Sequence, residues 1–549
     1  MLEPINVSLE SLNLITLAPM LIAIAGGLII LILDLLNEKL HKSLYVMLTI
    51  LVLFINFGSV LGLNVNERGF FDVMLIDGIS IISQLMIIGG SIIFMPLALT
   101  SKRFHEYSYP EFFALFLFMI AGFQFMVASD NLILIFVGLE TASLALYTLI
   151  ALHNRANSYE AAVKYFTMGA LAAAFFAMGS AVVYALTGSV ELYKVAEVMA
   201  TRLNETGLMI AIFGSSVLLL VSFAFKISLF PFHTWAPDVY EGASAPLAGY
   251  MSVVPKIAAF VVSIRLFGMY IDLGIEWVRW TILIVAVITM TLANIMALVQ
   301  NDVKRMLAYS SISHAGFIMA ALALDTTEGN TAIFLYYALF MFTNLGAFAM
   351  LWISRHKKRR FSADYDHPYE KFAGLIQIMP IGAVVMGLFM FSLAGVPPFS
   401  VFWGKIYVMQ AAVNAGYIWL AIVMGINSAI SAYYYLRVVV VMYMRPAEEP
   451  AYDGRSWGSA FAVPILAFLV LFLVAPLRPD RTSEEFLLGR LAEAGKPVVL
   501  AVNKIDGPEH EHLALEFYRL GVTKTYPLSA AHGYGLKELM QDLFAYLPD

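Results

Sequence analysis

The stretch Phe225-Lys226-Ile227-Ser228-Leu229-Phe230-Pro231-Phe232-His233 places a lysine, a proline and a histidine in an apolar segment running from about residue 207 to 232. An apolar run of that length crosses about 30 Å of hydrocarbon as one helix. Proline removes a backbone donor and clashes with the preceding turn, so the helix must break here. Broken backbone at membrane depth is tolerated only where it is buried in protein or lines a wet cavity. A lysine beside such a break marks a functional position. A second interruption, Ala394-Gly395-Val396-Pro397-Pro398-Phe399-Ser400, follows 167 residues later, counted from Pro231 to Pro398. It too has a lysine close by, Lys405.

Working outward, the composition agrees. Length alone, 549 residues, would suggest three or four soluble domains at roughly 150 residues each. Yet 60% of the chain is hydrophobic and only 13% charged, where soluble proteins carry about 25% charged residues. The chain is therefore an all-α polytopic membrane protein. Fourteen segments are long enough to span, at about 12–36, 43–63, 73–98, 111–128, 130–152, 160–187, 207–232, 242–270, 277–299, 304–323, 329–354, 371–413 (broken), 416–440 and 458–475. Met1 to Glu10 holds two acids and no basic residue, unlike a cleavable signal peptide. A net charge of −6 gives no global basic footprint for nucleic acid. With no cysteine, disulfides, cysteine-ligated iron–sulfur clusters and thiol catalysis are excluded. No HExxH pattern points to a metal site.

An even number of crossings puts both ends of the membrane domain on one side. With that side outside, sixteen Lys and Arg fall in inner loops and five (Arg68, Lys194, Arg202, Arg265, Arg279) in outer ones. The positive-inside rule favours this orientation. The run Arg355–Arg360 is read as a topology determinant. The segment after Asp130-Asn131 weakly echoes that after Asn301-Asp302. With paired breaks and five helices per unit, the second copy is flipped relative to the first, a pattern of transporters.

Four lysines remain inside predicted helices: Lys164, Lys226, Lys256 and Lys405. Buried ionisable groups are costly and mark ion or proton pathways, and an ammonium taken out of water exchanges its proton more readily. The plain alternative, lysines that snorkel to an interface, weighs most for Lys164, near a helix start. Glu140, in the middle of the fifth segment, needs a cationic partner, and Lys226 is the expected one. Protonating the Glu would release the Lys and pass a proton step along. His233 and His314 are the histidines at or near membrane depth, and imidazole relays protons near neutrality. His314 closes the polar stripe Ser310-Ser311-Ile312-Ser313-His314.

Several of these stretches resemble one family. Ala224-Phe225-Lys226 through Pro231-Phe232-His233-Thr234-Trp235-Ala236-Pro237-Asp238-Val239-Tyr240-Glu241-Gly242-Ala243 is similar to the antiporter-like membrane subunits of respiratory complex I. So are Lys304-Arg305-Met306-Leu307-Ala308-Tyr309-Ser310-Ser311, and Gly395-Val396-Pro397-Pro398-Phe399 with Phe402-Trp403-Gly404-Lys405. The resemblance covers about residues 10–475. It implies fourteen helices with two inverted five-helix repeats, and proton pumping driven by quinone reduction elsewhere in the complex. It carries a key glutamate onto Glu140 and key lysines onto Lys226, Lys256 and Lys405, with Lys164 also matching. It implies a translocase subunit of an NADH:quinone oxidoreductase in the bacterial inner membrane, with no cofactor of its own. NADH or another donor, flavin, iron–sulfur clusters and quinone would belong to partner membrane and peripheral subunits. The bilayer and, indirectly, the quinone pool complete the partners. A multi-subunit cation/proton antiporter or a membrane-bound hydrogenase, which share the fold, is the alternative.

Composition shifts at Arg478-Pro479-Asp480, dividing the chain into an antiporter-like domain, 1–478, and a tail, 479–549. In the tail, Lys496-Pro497-Val498-Val499-Leu500-Ala501-Val502 reads as a buried strand, followed by Asn503-Lys504-Ile505-Asp506 and later Ser529-Ala530. This short α/β fragment resembles part of the ribosome-assembly GTPase Der. The resemblance makes Asn503, Lys504 and Asp506 a vestigial guanine-reading motif. The chain has no GxxxxGK[ST] loop to hold phosphates, so a membrane-anchored GTPase is not expected. The expectation is an inert fragment, joined by fusion or by an accident of sequence assembly.

Overall fold

The structure, a computed structural model, describes residues 12–37, 40–100, 105–202, 206–353, 367–447, 499–502 and 524–527. The chain divides into two compact units, Met1–Val474 and Ala475–Asp549. The first begins with α1 (Ala18–Leu36), α2 (Lys42–Leu61) and α3 (Gly78–Phe94). A hairpin of β1 (Glu67–Gly69) and β2 (Met74–Ile76) joins α2 to α3, with Arg68 opposite Leu75. Next come α4 (Pro110–Val127), α5 (Leu132–Ala151), α6 (Ala156–Thr187), α7 (Leu192–Arg202), α8 (Thr206–Ile227), α9 (Trp235–Gly242), α10 (Ala245–Met251) and α11 (Val254–Asp272). A second series follows: α12 (Glu276–Leu298), α13 (Val303–Leu324), α14 (Thr327–Ile353), α15 (Leu375–Ile378), α16 (Pro380–Ala394), α17 (Ser400–Asn414) and α18 (Ile418–Met444). In the second unit β3 (Val499–Val502) pairs in parallel with β4 (Lys524–Pro527). β3 falls within the stretch read as a strand.

Twelve helical segments among the described residues are long and apolar enough to cross a membrane. The fifteen residues of α16 rise only about 22 Å, too little for a span of ~30 Å. Its crossing is completed by α17 beyond the Gly-Val-Pro-Pro break. The spans thus follow the predicted segments. The fourteenth, 458–475, the basic run Arg355–Arg360 and the motif Asn503, Lys504, Asp506 lie outside the described residues. Two helices fall outside the predicted segments: the eight residues of α9 at the first break, and the eleven of α7, which bury Leu192, Val195 and Met199 along one face; both are too short to span.

The inverted repeat is visible in matching details. α5 starts at Asn131, whose side chain accepts from Ile133 N and Leu134 N at 3.0 and 3.3 Å. α13 starts at Asp302, which accepts from Arg305 N at 3.0 Å. These caps satisfy backbone donors that a helix start leaves free. Asn131 forms an isolated antiparallel bridge with Glu191, and Asp302 forms one with Pro368. Five crossings (α5, α6, α8, α11, α12) separate the two starts, so they lie on opposite faces. The units are α4 to α11 and α12 to α18. Each contains a helix interrupted before a proline-bearing loop.

Small residues let the helices approach closely, as membrane interfaces favour. Gly122 and Gly138 bring α4 against α5, and Gly316 brings α13 against Met290 of α12. α13 is buried throughout except at Arg305, and the α10–α11 crossing nearly so. These two crossings form the centre of the bundle and carry Lys256 and His314. Outside the spans, Arg68 binds Asp130 through two hydrogen bonds of 3.2 and 2.6 Å, pinning the hairpin beside the start of α5. Arg265, read from sequence as an outer-loop cation, instead sits within α11. There its guanidinium makes two 2.8 Å bonds to Asp77, the cap of α3. Burial alone would raise the Asp77 carboxyl, but Arg265 outweighs it and holds the group below the usual carboxylate range.

Candidate functional site

Glu140 and Ser143 lie on one face of α5, one turn apart. Lys226 lies in the last turn of α8, where an ammonium also suits the helix dipole. Its Nζ donates to Ser143 Oγ at 2.6 Å. Glu140 and Lys226 interact electrostatically, but no ion pair at contact distance joins them, and Glu140 Oε1 is buried without a hydrogen-bond partner. The direct pair expected from sequence is thus replaced by a serine contact beside the carboxylate. A cavity of about 20 Å³ touches Ser143, Tyr165 and Lys226, enough for one water.

Lys256 enters the bundle centre from the first turn of α11. It is 2% exposed. Its Nζ donates to Ser311 O at 3.1 Å and Ser311 Oγ at 3.3 Å. Lys405, on α17, donates to Leu393 O at 3.3 Å and Ala394 O at 3.0 Å. These are carbonyls that the end of α16 leaves without partners, so the break itself builds the lysine's binding site. It also lies 5.6 Å over the Phe317 ring. Each of the three lysines is held by neutral oxygens. A proton can leave without stranding a contacting carboxylate.

His314 sits on α13 between the last two lysines, near enough to both to feel their charge. Nδ1 is 2.6 Å from Tyr336 Oη, Nε2 is 3.1 Å from Tyr435 Oη, and the ring packs on Phe340 at 4.5 Å. Of the neighbouring serines, Ser310 meets Tyr435 and Ser311 holds Lys256.

Two predicted members stand apart. His233 is half-buried at the first break beside Phe230, 5.7 Å between rings, and its Nδ1 has no hydrogen-bond partner. Lys164 is 44% exposed and ion-paired with Glu160 at 2.7 Å and Asp238 at 3.1 Å. α6 has 32 residues and is roughly 48 Å long, well over the ~30 Å core, which leaves room for the turns carrying Lys164 outside it. Asp238 and Glu241 in turn bind Arg305 at 3.0 and 2.5 Å. A pocket of about 210 Å³ opens among Asn157, Glu160, Lys164, Asp238 and Glu241. Sequence reasoning missed Ser143, Tyr336 and Tyr435, and saw Ser311 only as part of a polar stripe, not as the partner of Lys256. Ser143 had one advance signal, Glu140 a helical turn away; nothing local marked Tyr336 or Tyr435. Among the described residues no group of three His, Cys, Asp or Glu could hold a metal ion.

A membrane bundle with two inverted units, two broken helices and a lysine at each break defines an antiporter-like membrane subunit. Residues 129–431 match the family described as "NADH:quinone oxidoreductase/Mrp antiporter, TM". NADH-quinone oxidoreductase subunit N of Sulfurovum sp. (strain NBC37-1) is 80% identical over 477 residues, covering 87% of this chain and 96% of that protein. Its counterpart from Sulfurimonas denitrificans is 60% identical over 472 residues, covering 85% and 93%. A chain of respiratory complex I from Thermus thermophilus superposes with a TM-score of 0.69 at 31% identity, covering 84% of this chain and 96% of that one. The chain belongs to the NADH-quinone oxidoreductase subunit N family.

Proposed function

We propose that this chain is a proton-translocating membrane subunit of an NADH–quinone oxidoreductase, moving protons through Glu140, Lys226, Lys256, His314 and Lys405. The observation that carries this reading is the set of three lysines held by neutral oxygens in the interior of broken or fully buried helices. No structural need explains three ammonium groups there, since buried charge is costly unless it works. His233 joins the path at the first break, and Lys164 collects protons at its mouth. The relatives' names favour the oxidoreductase over the antiporter or hydrogenase reading.

Electron transfer belongs to partner subunits carrying flavin, iron–sulfur clusters and the quinone pocket, with NADH or another donor. The subunit sits in a bacterial inner membrane, with both ends of its membrane domain on the outer side, as the excess of cations in inner over outer loops favours. Residues 479–549 are an appended fragment with no part in the path.

The test is proton pumping by the assembled complex in sealed vesicles, with quinone reduction measured alongside and assembly checked on a native gel. Glu140→Gln and Lys226→Ala should lose pumping with normal assembly. Wild-type pumping and turnover in both would refute the path.

A further inference from the structure

Ser310 and His314 stand one turn apart on α13, Tyr336 reaches in from α14, and Tyr435 from α18. All four are buried, none more than 3% exposed. The Tyr435 hydroxyl shares a short hydrogen bond with Ser310 Oγ and lies 3.1 Å from His314 Nε2. The Tyr336 hydroxyl lies 2.6 Å from His314 Nδ1. The result is an unbroken line: Ser310, Tyr435, His314, Tyr336.

Each end stands beside the surroundings of a lysine, with no hydrogen bond from either end to the ammonium. Ser310 adjoins Ser311, which holds the Lys256 ammonium. Tyr336 packs on the backbone of Gly404, where an added Cβ would meet its ring at 3.1 Å, and Gly404 adjoins Lys405. Tyr434, whose ring is 4.5 Å from that of Tyr435, sends its own proton to Asn294 Oδ1 at 2.9 Å and does not compete for the imidazole.

We propose that Tyr435 is a proton-relay residue, linking Ser310 to His314 in a hydrogen-bonded line that carries protons between the surroundings of Lys256 and those of Lys405. A neutral imidazole has one donor and one acceptor, and each hydroxyl has one proton. Only two arrangements satisfy every contact. In one, Ser310 donates to Tyr435, Tyr435 donates to Nε2, and Nδ1–H donates to Tyr336. In the other, Tyr336 donates to Nδ1, Nε2–H donates to Tyr435, and Tyr435 donates to Ser310. Passing from the first to the second releases the Tyr336 proton. The Nδ1 proton moves to Tyr336, the Tyr435 proton to Nε2 and the Ser310 proton to Tyr435, and Ser310 takes up a new one. Each hop breaks one O–H or N–H bond and forms another, so one proton enters at Ser310 and one leaves at Tyr336. Tyr435 is the sole described hydrogen-bond partner of Nε2. Without its hydroxyl the imidazole is a dead end.

The inference rests on the proton-transfer reading above, and the experiment separates the two. In the assembled complex in sealed vesicles, Tyr435→Phe keeps the ring and removes the hydroxyl. Pumping and coupled quinone reduction should fall by roughly tenfold or more, as loss of a positioned proton-transfer group costs. The H2O/D2O rate ratio should rise as proton hops limit turnover. Tyr337→Phe, which removes a nearby buried hydroxyl that has no hydrogen-bond partner, should match wild type. Ser310→Ala, a smaller change on a buried helix, should move rate and isotope ratio the same way, and serves if the Tyr435 variant assembles poorly. Wild-type rates and isotope ratio in assembled Tyr435→Phe or Ser310→Ala, with pumping lost in Lys256→Ala, would overturn the relay alone. Wild-type pumping in Lys256→Ala as well would overturn the underlying path.

Discussion

Gly138→Ala tests whether the close approach of α4 and α5 holds the first half of the site. A Cβ at Gly138 would lie 2.6 Å from Gly122 O and 3.0 Å from Met126 N. The reciprocal Cβ at Gly122 would lie 2.7 Å from Gly138 O and 2.8 Å from Ala142 N. All four neighbours are backbone atoms, so no side chain can swing away. Ordinary contact begins at 3.4 Å, which leaves Gly138 about 0.8 Å short, and the helices must part to supply it. Overpacking of this kind costs about 1–3 kcal/mol. The control is Gly425→Ala on α18, where nothing lies within 4 Å. Both variants gain the same helix propensity, about 1 kcal/mol, so their difference isolates the packing cost. Heating the assembled complex and following release of the subunit on native gels should show Gly138→Ala leaving several degrees below Gly425→Ala. Parting the helices also shifts Ser143 relative to Lys226. Because a misplacement of about 1 Å can cost ~100-fold in rate, pumping should fall further than stability alone explains. Adding Gly122→Ala should cost less than the first change, since both crowd one contact that the first has already opened. Equal stability of Gly138→Ala and Gly425→Ala would show that the crossing opens freely and would refute the argument.

Three further outcomes are expected. Ser143→Ala should leave the Lys226 ammonium without its 2.6 Å acceptor, costing about 1–3 kcal/mol for the unsatisfied donor; reduced pumping with retained assembly on native gels checks it. Arg265→Met should strand the part-buried Asp77 carboxylate and cost about 3 kcal/mol, read as a lowered unfolding temperature that Arg265→Lys only partly restores, since one ammonium cannot make both 2.8 Å bonds. At the end of α13, burial and then the neighbouring Asp272 push the Asp325 carboxyl up to about 6, against the pull of Arg279. With an unfolded value near ~3.9, its contribution to stability is full below about pH 4 and is lost as pH rises through about 6. Unfolding temperatures measured across that window should fall less steeply in Asp325→Asn than in wild type.

Much of the site was legible because charge stands out in apolar sequence. Glu140, Lys226, Lys256 and Lys405 each interrupt a long hydrophobic run, and each costs too much to sit in lipid without a role. The breaks were legible because proline cannot continue a helix. Lys164 looked the same in a hydropathy window, yet it stands 44% exposed in ion pairs with Glu160 and Asp238. Its place near a helix start already set it apart, and the 32 residues of α6 show the physical reason. Arg265 erred in the other direction, because two carboxylate contacts from Asp77, 188 residues away, hold it inside α11.

The partners of the charged groups were not legible. Serine and tyrosine are unremarkable in membrane helices, and nothing local separates Tyr435 from its neighbour Tyr434. Tyr435 meets Ser310 across 125 residues of chain, and Lys226 meets Ser143 across 83. The order of residues by itself determined that this chain is a membrane bundle, where its helices break, and which charges lie within them. These follow from the cost of moving charge and backbone dipoles from water into hydrocarbon, which each segment meets alone. Which neutral oxygen holds each lysine, and which phenols flank the imidazole, was decided only by the tertiary structure. Hydrogen bonds are set over about 3 Å, and helix packing alone brings such distant residues within that range.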